Sequence, residues 1–240
     1  YMSLAVTKQA QRWLMPIFAV IMAFQLAGCG DNDKEQRKAF IDYLQNTVMR
    51  GSITVPTLSE DQKQKLGNYV SDYAILVTFS QNFSRSMDSS LNPLFTTIDQ
   101  IRVPQDYLLK RDDLRQESGA LNLLGQQIQS AKSTADTARA ALKQPDDVKA
   151  IYDQAFAKVV TDPANAVMPI IPMAASLSQD LIQVGDFLQS IGTQARFDNQ
   201  SIQLQTQQQV DQYNQLMTSI AAKHQELLNA KNRNAAIFQN

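Results

Sequence analysis

The sequence predicts an all-α protein, an elongated multi-helix bundle with long antiparallel helices. About 30 glutamines occur among many alanines, lysines and leucines, which are residues that favour helices. Glycine and proline number only eight each in 240 residues, which disfavours an architecture of many strands and turns. Long stretches place apolar residues three, four or seven positions apart, the spacing that defines one face of a helix.

The charge balance argues against two classes of partner. The formal net charge is −1, and without residues 1–28 the chain keeps 20 basic and 23 acidic side chains. This balance gives no global electrostatic reason to bind nucleic acid or an anionic lipid surface. A hydrophobic content of 44% is enough to build a core, and a single cysteine rules out an internal disulfide.

The N-terminus has the anatomy of a secretory signal peptide. Lys8 and Arg12 form a basic region, and Trp13 to Phe24 contains no polar side chain. The segment ends in four residues that resemble a bacterial lipobox: Leu26, Ala27, Gly28 and Cys29. We therefore expect cleavage before Cys29 and attachment of lipid to its thiol, which anchors the protein in a membrane.

Two further expectations concern this anchor. In lipoproteins of this kind an aspartate after the cysteine commonly signals retention in the inner membrane. Gly30 stands there instead, so we expect the periplasmic face of the outer membrane. The alternative is an uncleaved transmembrane anchor, since residues 13–30 are uncharged and long enough to span a bilayer.

The mature chain divides into a polar linker at 29–36, a helical bundle at 37–230 and a flexible tail at 231–240. In the first half, apolar spacing predicts a helix over Asp33 to Arg50, which Gly51 ends. Ser59 with Gln62 predicts a capping box, opening a helix that reaches Met87. The next breaks are predicted at Pro93 and Pro104.

The second half opens with the longest periodic stretch, residues 105–143. Asp146 is predicted to cap a helix that starts after Pro145. Asp162 and Pro163 are predicted to restart the chain as another cap-and-proline pair.

Two prolines three residues apart, Pro169 and Pro172, predict a bent or interrupted helix within an apolar segment. The apolar seam resumes after them and ends at Gly192. Thr206 is then predicted to open a last helix that runs to about Asn229. A short strand at Ile202 to Leu204 could pair with Ile53 to Val55, as the one β element that the sequence allows.

Several segments resemble the YiaF-like family of predicted enterobacterial lipoproteins, a domain-of-unknown-function family. The resemblance runs through essentially the whole chain, and its clearest segments are Arg37 to Thr47, Pro56 to Gln62, Asn68 to Tyr73 and Thr206 to Val210. It implies a lipidated protein that faces the periplasm. It transfers no catalytic motif, and only Cys29 receives a role from it.

Catalytic motifs are scarce in the sequence. His224, the single histidine, continues the apolar seam of the last helix and fits a packing role better than that of a base. Serine-hydrolase elbows and nucleotide-binding glycine loops are absent. Adjacent acids such as Asp112-Asp113 and Asp146-Asp147 point about 100° apart on a helix and cannot converge on one reacting atom. We expect no metal, no cofactor and no enzymatic activity.

The leading hypothesis is a lipid-anchored periplasmic bundle that acts through protein contacts in the envelope, as an adaptor, spacer or assembly factor. The alternative is a carrier or sensor of a small apolar ligand. A weaker alternative is a carboxylate-dependent glycan hydrolase. The residues predicted to line an apolar ligand pocket are Tyr69, Tyr73, Phe79, Phe83, Pro169 and Pro172.

Overall fold

The structure is a computed structural model, and it describes residues 31–238. The predictions for the signal peptide, the lipobox, Cys29 and Gly30 lie outside the described residues. Within 31–238 the chain is helical apart from its loops and one small hairpin, so the all-α prediction with one short two-stranded element is confirmed.

The α-helices are α1 (Asp31–Tyr43), α2 (Glu60–Leu66), α3 (Val70–Ser86), α4 (Asn92–Asp99), α5 (Asp106–Leu109), α6 (Arg111–Gly119), α7 (Leu121–Ala140), α8 (Asp146–Phe156), α9 (Asp162–Ile191), α10 (Gln207–Arg233) and α11 (Ala235–Phe238). Three segments are π-helical: Leu44–Val48, Met87–Leu91 and Ala157–Thr161. Two are 3₁₀-helical, Gly67–Tyr69 and Gly192–Gln194. The strands are β1 (Arg196–Asp198) and β2 (Ser201–Gln203).

Two predicted breaks are instead π-helical turns within continuous helical runs. Pro93 follows the π turn that ends at Leu91, and Pro163 follows the one that ends at Thr161. A proline cannot donate to the carbonyl four residues before it, and its ring crowds that carbonyl. The wider π turn accommodates this loss, so the helix continues where the sequence predicted a restart.

Of the bent or interrupted helix predicted at Pro169 and Pro172, the interruption does not occur. Both prolines lie inside α9, which stays helical over 30 residues. The helical run from Asp146 to Gln194 is long and apolar enough to cross a membrane by length and composition alone. Many of its side chains lie in the core of the bundle. A buried core helix can meet the same criterion of length and composition as a membrane span.

Glycines and caps explain where other helices begin and end. The predicted Ser59 capping box is confirmed, and Thr206 forms a second one with Gln209. Gly67 has a φ of 52° and ends α2 against the side chain of Gln36, so a β-carbon there would collide with Gln36. Gly192 has a φ of 55° and ends α9 as predicted.

Several element boundaries differ from the prediction. The stretch 105–143 is divided into α5, α6 and α7. Asp146 is the first residue of α8, not its cap, and no side chain caps that helix. Residues 31–36, predicted as a linker, form the first turns of α1. In the predicted tail, Phe238 packs against Phe95 with ring centroids 6.0 Å apart.

The β hairpin pairs neighbouring segments, and the predicted pairing of 202–204 with 53–55 is wrong. Phe197 lies opposite Ile202 in an antiparallel register. Asn199 takes a φ of 50° in the two-residue turn, a geometry that suits a tight hairpin. Val55 instead donates its backbone N–H to Ser80 Oγ at 3.1 Å, which seats its loop against α3.

The core lies around α9, which packs against α5, α6, α7 and α10. Gly185 permits one of these contacts, because a β-carbon there would lie 2.6 Å from the backbone oxygen of Tyr107. The side chain of Lys158 links the π turn Ala157–Thr161 to the end of the π turn Leu44–Val48. Its ammonium group donates to the carbonyl oxygens of Val48, Met49 and Gly51 at 2.9, 2.8 and 2.6 Å where the first π turn ends, and the oxygen of Val48 also accepts from the N–H of Gly51 at 3.3 Å.

Candidate functional site

The structure divides the six residues predicted to line a ligand pocket between the interior and the surface. Tyr69, Tyr73, Phe79 and Phe83 are buried, whereas Pro169 and Pro172 are exposed on α9. The aromatic rings pack on other rings, and Phe40 stacks on Tyr69 at 5.3 Å between centroids. The six side chains are therefore not brought to one cavity.

The buried tyrosine hydroxyls already have partners. Tyr69 donates to Asp33 Oδ1 at 3.1 Å, and Tyr73 donates to the backbone oxygen of Pro56. Tyr152 donates to the backbone oxygen of Asp72 at 2.7 Å. Burial raises the pKa of Tyr69 to about 12 and raises the pKa values of Tyr73 and Tyr152 as well. These groups act as structural donors that join α1, α3 and α8.

A groove of about 730 Å³ runs along the outer surface between α3 and α7, and we call it the α3–α7 groove. Its walls carry mostly small and uncharged side chains, and Arg85 is the one charged residue that the described part of the chain contributes to the lining. Phe79 is the only one of the six predicted pocket residues that contributes to it. The remaining lining includes Ala74, Ile75, Thr78, Ser130, Ala131, Thr134 and Ala138.

Leu123 stands at one end of the α3–α7 groove and is 54% exposed. Leu121 and Leu124 belong to the apolar face of α7 that is buried in the core. Leu123 lies off that face by its helical position. An apolar residue that lies off the buried face of a helix is the sequence signal for an exposed contact point. The groove beside Leu123 could not be found in this way, because it forms only where α3 and α7 pack together.

A second groove, of about 870 Å³, lies between α9 and α10, and we call it the α9–α10 groove. Asp180 lines it with a side chain that is 11% exposed. Two groups from α10 bind its Oδ2, with Ser219 Oγ donating at 2.5 Å and Lys223 Nζ at 2.9 Å. Ser219 and Lys223 share a helix face by their spacing of four, but only the packing of α9 on α10 reveals their partner.

Two carboxyl groups, the buried Asp72 and the half-buried Glu117, have raised pKa values. Desolvation raises the pKa of Asp72, against a hydrogen bond of 2.8 Å from Gln144 Nε2 that lowers it. Desolvation also raises the pKa of Glu117, whose Oε1 accepts from Thr97 Oγ1 at 2.8 Å. Glu117 Oε2 is buried and has no hydrogen-bond partner within the described part of the chain.

These groups do not form a recognisable catalytic arrangement. Over residues 31–238 no cluster of three or more histidine, cysteine, aspartate or glutamate side chains could hold a metal ion. His224 is half-buried on α10, and Asp180 is engaged by a cation. The α3–α7 groove and the α9–α10 groove are features of the described surface that a binding partner could occupy.

The isolated oxygen of Glu117 leads to a prediction about pH. Because its pKa is raised in the folded protein, folding favours the protonated form. The penalty for the charged form therefore appears as the pH rises above the ordinary glutamate value. We expect the unmodified protein to lose stability relative to Glu117→Gln as the pH rises from 4 to 7, because the glutamine has no charge at either pH.

Urea unfolding of both proteins at pH 4 and pH 7 measures this effect. Glu226→Gln, at an exposed position of α10, is the control and should change little. An equal difference in stability at both pH values for Glu117→Gln would show that charge is not the cause.

Comparison with known proteins gives the chain a family. A family model described as "Protein of unknown function (DUF3053)" matches residues 17–235. "Uncharacterized protein YiaF" of Escherichia coli strain K12 is 49% identical over 222 residues, which cover 92% of this chain and 94% of the relative. The protein of the same name from Shigella flexneri is equally similar, at 49% over 222 residues. No solved structure matches the chain. The long family match and the identity to these relatives show that the chain belongs to the DUF3053 family.

Proposed function

We propose that this protein is a lipid-anchored, non-enzymatic helical protein of the cell envelope that acts through protein contacts at the α3–α7 groove. The expected occupant is an amphipathic helix of an envelope protein. The proposal rests on the groove itself, a continuous and nearly uncharged depression of about 730 Å³ on the bundle surface.

The shape and the lining of the groove support a helical partner. From Leu123 to Ala138 the α7 wall extends over about 22 Å, the length of four helical turns. Alanine, serine and threonine in both walls allow the backbone of a third helix to approach closely. Leu123 offers an exposed apolar anchor, and Arg85 favours an acidic residue at one position of the partner.

The location in the envelope rests on the N-terminal sequence. The basic region, the apolar run and the lipobox ending at Cys29 support secretion, cleavage and lipid attachment. A lipid anchor would hold the bundle at the membrane surface, facing the periplasm, without requiring a membrane-binding surface on the bundle. Gly30 favours the outer membrane as the destination.

Photocrosslinking in living cells tests the contact. A photoreactive amino acid replaces Leu123 in the full chain, and a matched variant carries it at Gln179, an exposed α9 position outside both grooves. We expect a discrete adduct from position 123 that is absent from position 179. We also expect Thr78→Lys, which places a charge in the groove, to remove the adduct.

Two outcomes would contradict the proposal. One is the same set of adducts from positions 123 and 179, which would indicate random encounters. The other is an adduct at position 123 that persists unchanged with Thr78→Lys in a protein that remains folded, because the groove would then not be the site of contact.

A further inference from the structure

The α9–α10 groove has a lining of a different kind, because hydrogen-bonding side chains stand on both of its walls. On α10 the polar residues Gln208, Gln212, Gln215 and Ser219 follow one another at spacings of four, three and four. That spacing keeps them on one helix face over about 16 Å. On α9, Gln183 and Ser190 belong to the opposite wall.

Four of the five glutamine side chains in the lining, all but Gln209, are unused by the described part of the protein. Gln183, Gln208, Gln212 and Gln215 make no side-chain hydrogen bond to any residue of the segment 31–238. Each amide can donate twice and accept twice. The groove therefore presents a row of available donors and acceptors.

The carboxylates that line the α9–α10 groove are paired with cationic side chains. Of its two carboxylates, Asp180 is paired with Lys223, and Asp186 is paired with Arg115 at 2.5 Å. Both bonds to Asp180 engage Oδ2, so Oδ1 stays free of partners among the described side chains. Such a lining offers no unpaired charge to an ionic ligand, but it can bind a neutral one through many hydrogen bonds.

We propose that the α9–α10 groove binds a neutral, hydroxyl-rich saccharide chain. Sugar hydroxyls donate and accept, as the glutamine amides do, and the hydroxyl oxygens of Ser190 and Ser219, which already donate to Phe187 O and Asp180 Oδ2, can accept from them. The volume of about 870 Å³ lies within the range of small-ligand sites. Phe187 and Leu216 add apolar surface against which the carbon face of a sugar ring can lie.

The same lining argues against two other ligands. An acidic or basic peptide would find both carboxylates already neutralised and no free cation among the lining residues between positions 31 and 238. An apolar ligand would leave the row of amides without partners, at a cost for each group that it desolvates. We do not expect the groove to hydrolyse the saccharide, because each carboxylate in the groove already has a cationic partner.

Titration by NMR tests this inference on the full chain, purified in a zwitterionic detergent. The probes are a neutral hexamer of β-1,4-linked N-acetylglucosamine and a neutral glucose heptamer. A highly sulfated dextran fragment and an uncharged peptide of similar mass serve as comparisons. The readout is the set of side-chain amide signals of the glutamines, which report directly on the proposed contacts.

We expect one of the neutral saccharides to shift the signals of Gln183 and Gln212, with no comparable shift from the sulfated fragment. The double variant Gln183→Ala, Gln212→Ala should weaken binding about tenfold, the effect of two lost hydrogen bonds. The matched double variant Gln189→Ala, Gln225→Ala changes one exposed glutamine on each helix outside the groove, and it should bind as the unmodified chain does.

Three results would overturn the inference: no shift from either saccharide at millimolar concentration, equal weakening in both double variants, or shifts of these amides with the peptide alone. None of them bears on the α3–α7 groove. The proposed protein contact and the proposed saccharide site can therefore fail separately.

Discussion

Phe40→Ala is expected to lower the free energy of unfolding by about 3–5 kcal/mol, the range for removing a large aromatic side chain from a core. Phe40 is fully buried. Its ring stacks on Tyr69 at 5.3 Å and lies 6.1 Å from the ring of Tyr152. The substitution removes the whole ring and leaves a cavity beside the rings of Tyr69 and Tyr152. These rings cannot fill the cavity without moving.

Urea unfolding followed by circular dichroism measures the loss. Leu123→Ala is the matched control, since it also truncates a large apolar side chain on a helix but at a position that is 54% exposed. The control should change stability by no more than about 0.5 kcal/mol. A Phe40→Ala protein as stable as this control would contradict the burial of Phe40 against Tyr69 and Tyr152.

Cys29→Ser is expected to abolish lipid attachment, because a hydroxyl cannot replace the thiol that receives the lipid. Each methylene of a bound acyl chain contributes about 0.8 kcal/mol of membrane affinity, so several chains make attachment effectively permanent. Cells grown with a labelled fatty acid should label the unmodified protein but not Cys29→Ser. Mass spectrometry should show a mature chain that begins at a modified Cys29.

The serine variant should also keep residues 1–28, because the expected cleavage depends on the modified cysteine. An uncleaved apolar segment can itself hold the variant on the membrane, so fractionation alone is insufficient. A third form, with residues 1–28 and Cys29 replaced by a leader that is cleaved without lipidation, should be released into the periplasm. Equal labelling of the serine variant, or residues 1–28 retained in the unmodified protein, would support a transmembrane anchor instead.

The elements that the sequence predicted well are those governed by local chemistry. The Ser59 capping box, the Thr206 helix start and the Gly192 helix end each depend on one or two residues and the backbone beside them. Prolines were harder, because their consequence depends on context. Pro93 and Pro163 follow π turns, whereas Pro169 and Pro172 lie in an unbroken α-helix whose other side chains bury against the core.

The sequence by itself determined that the chain is helical and predicted a lipoprotein-type leader, because composition, periodicity and the residues around Cys29 are properties of neighbouring positions. It also predicted Tyr69 and Phe79 as lining of an apolar ligand pocket, but it could not show whether these rings meet a ligand or other helices. Only the tertiary structure decided that the rings fill the core and that α3 with α7 and α9 with α10 form the two surface grooves. The physical reason is that a groove belongs to a pair of packed helices, and the pairing of helices distant in sequence is set by the packing of the whole core.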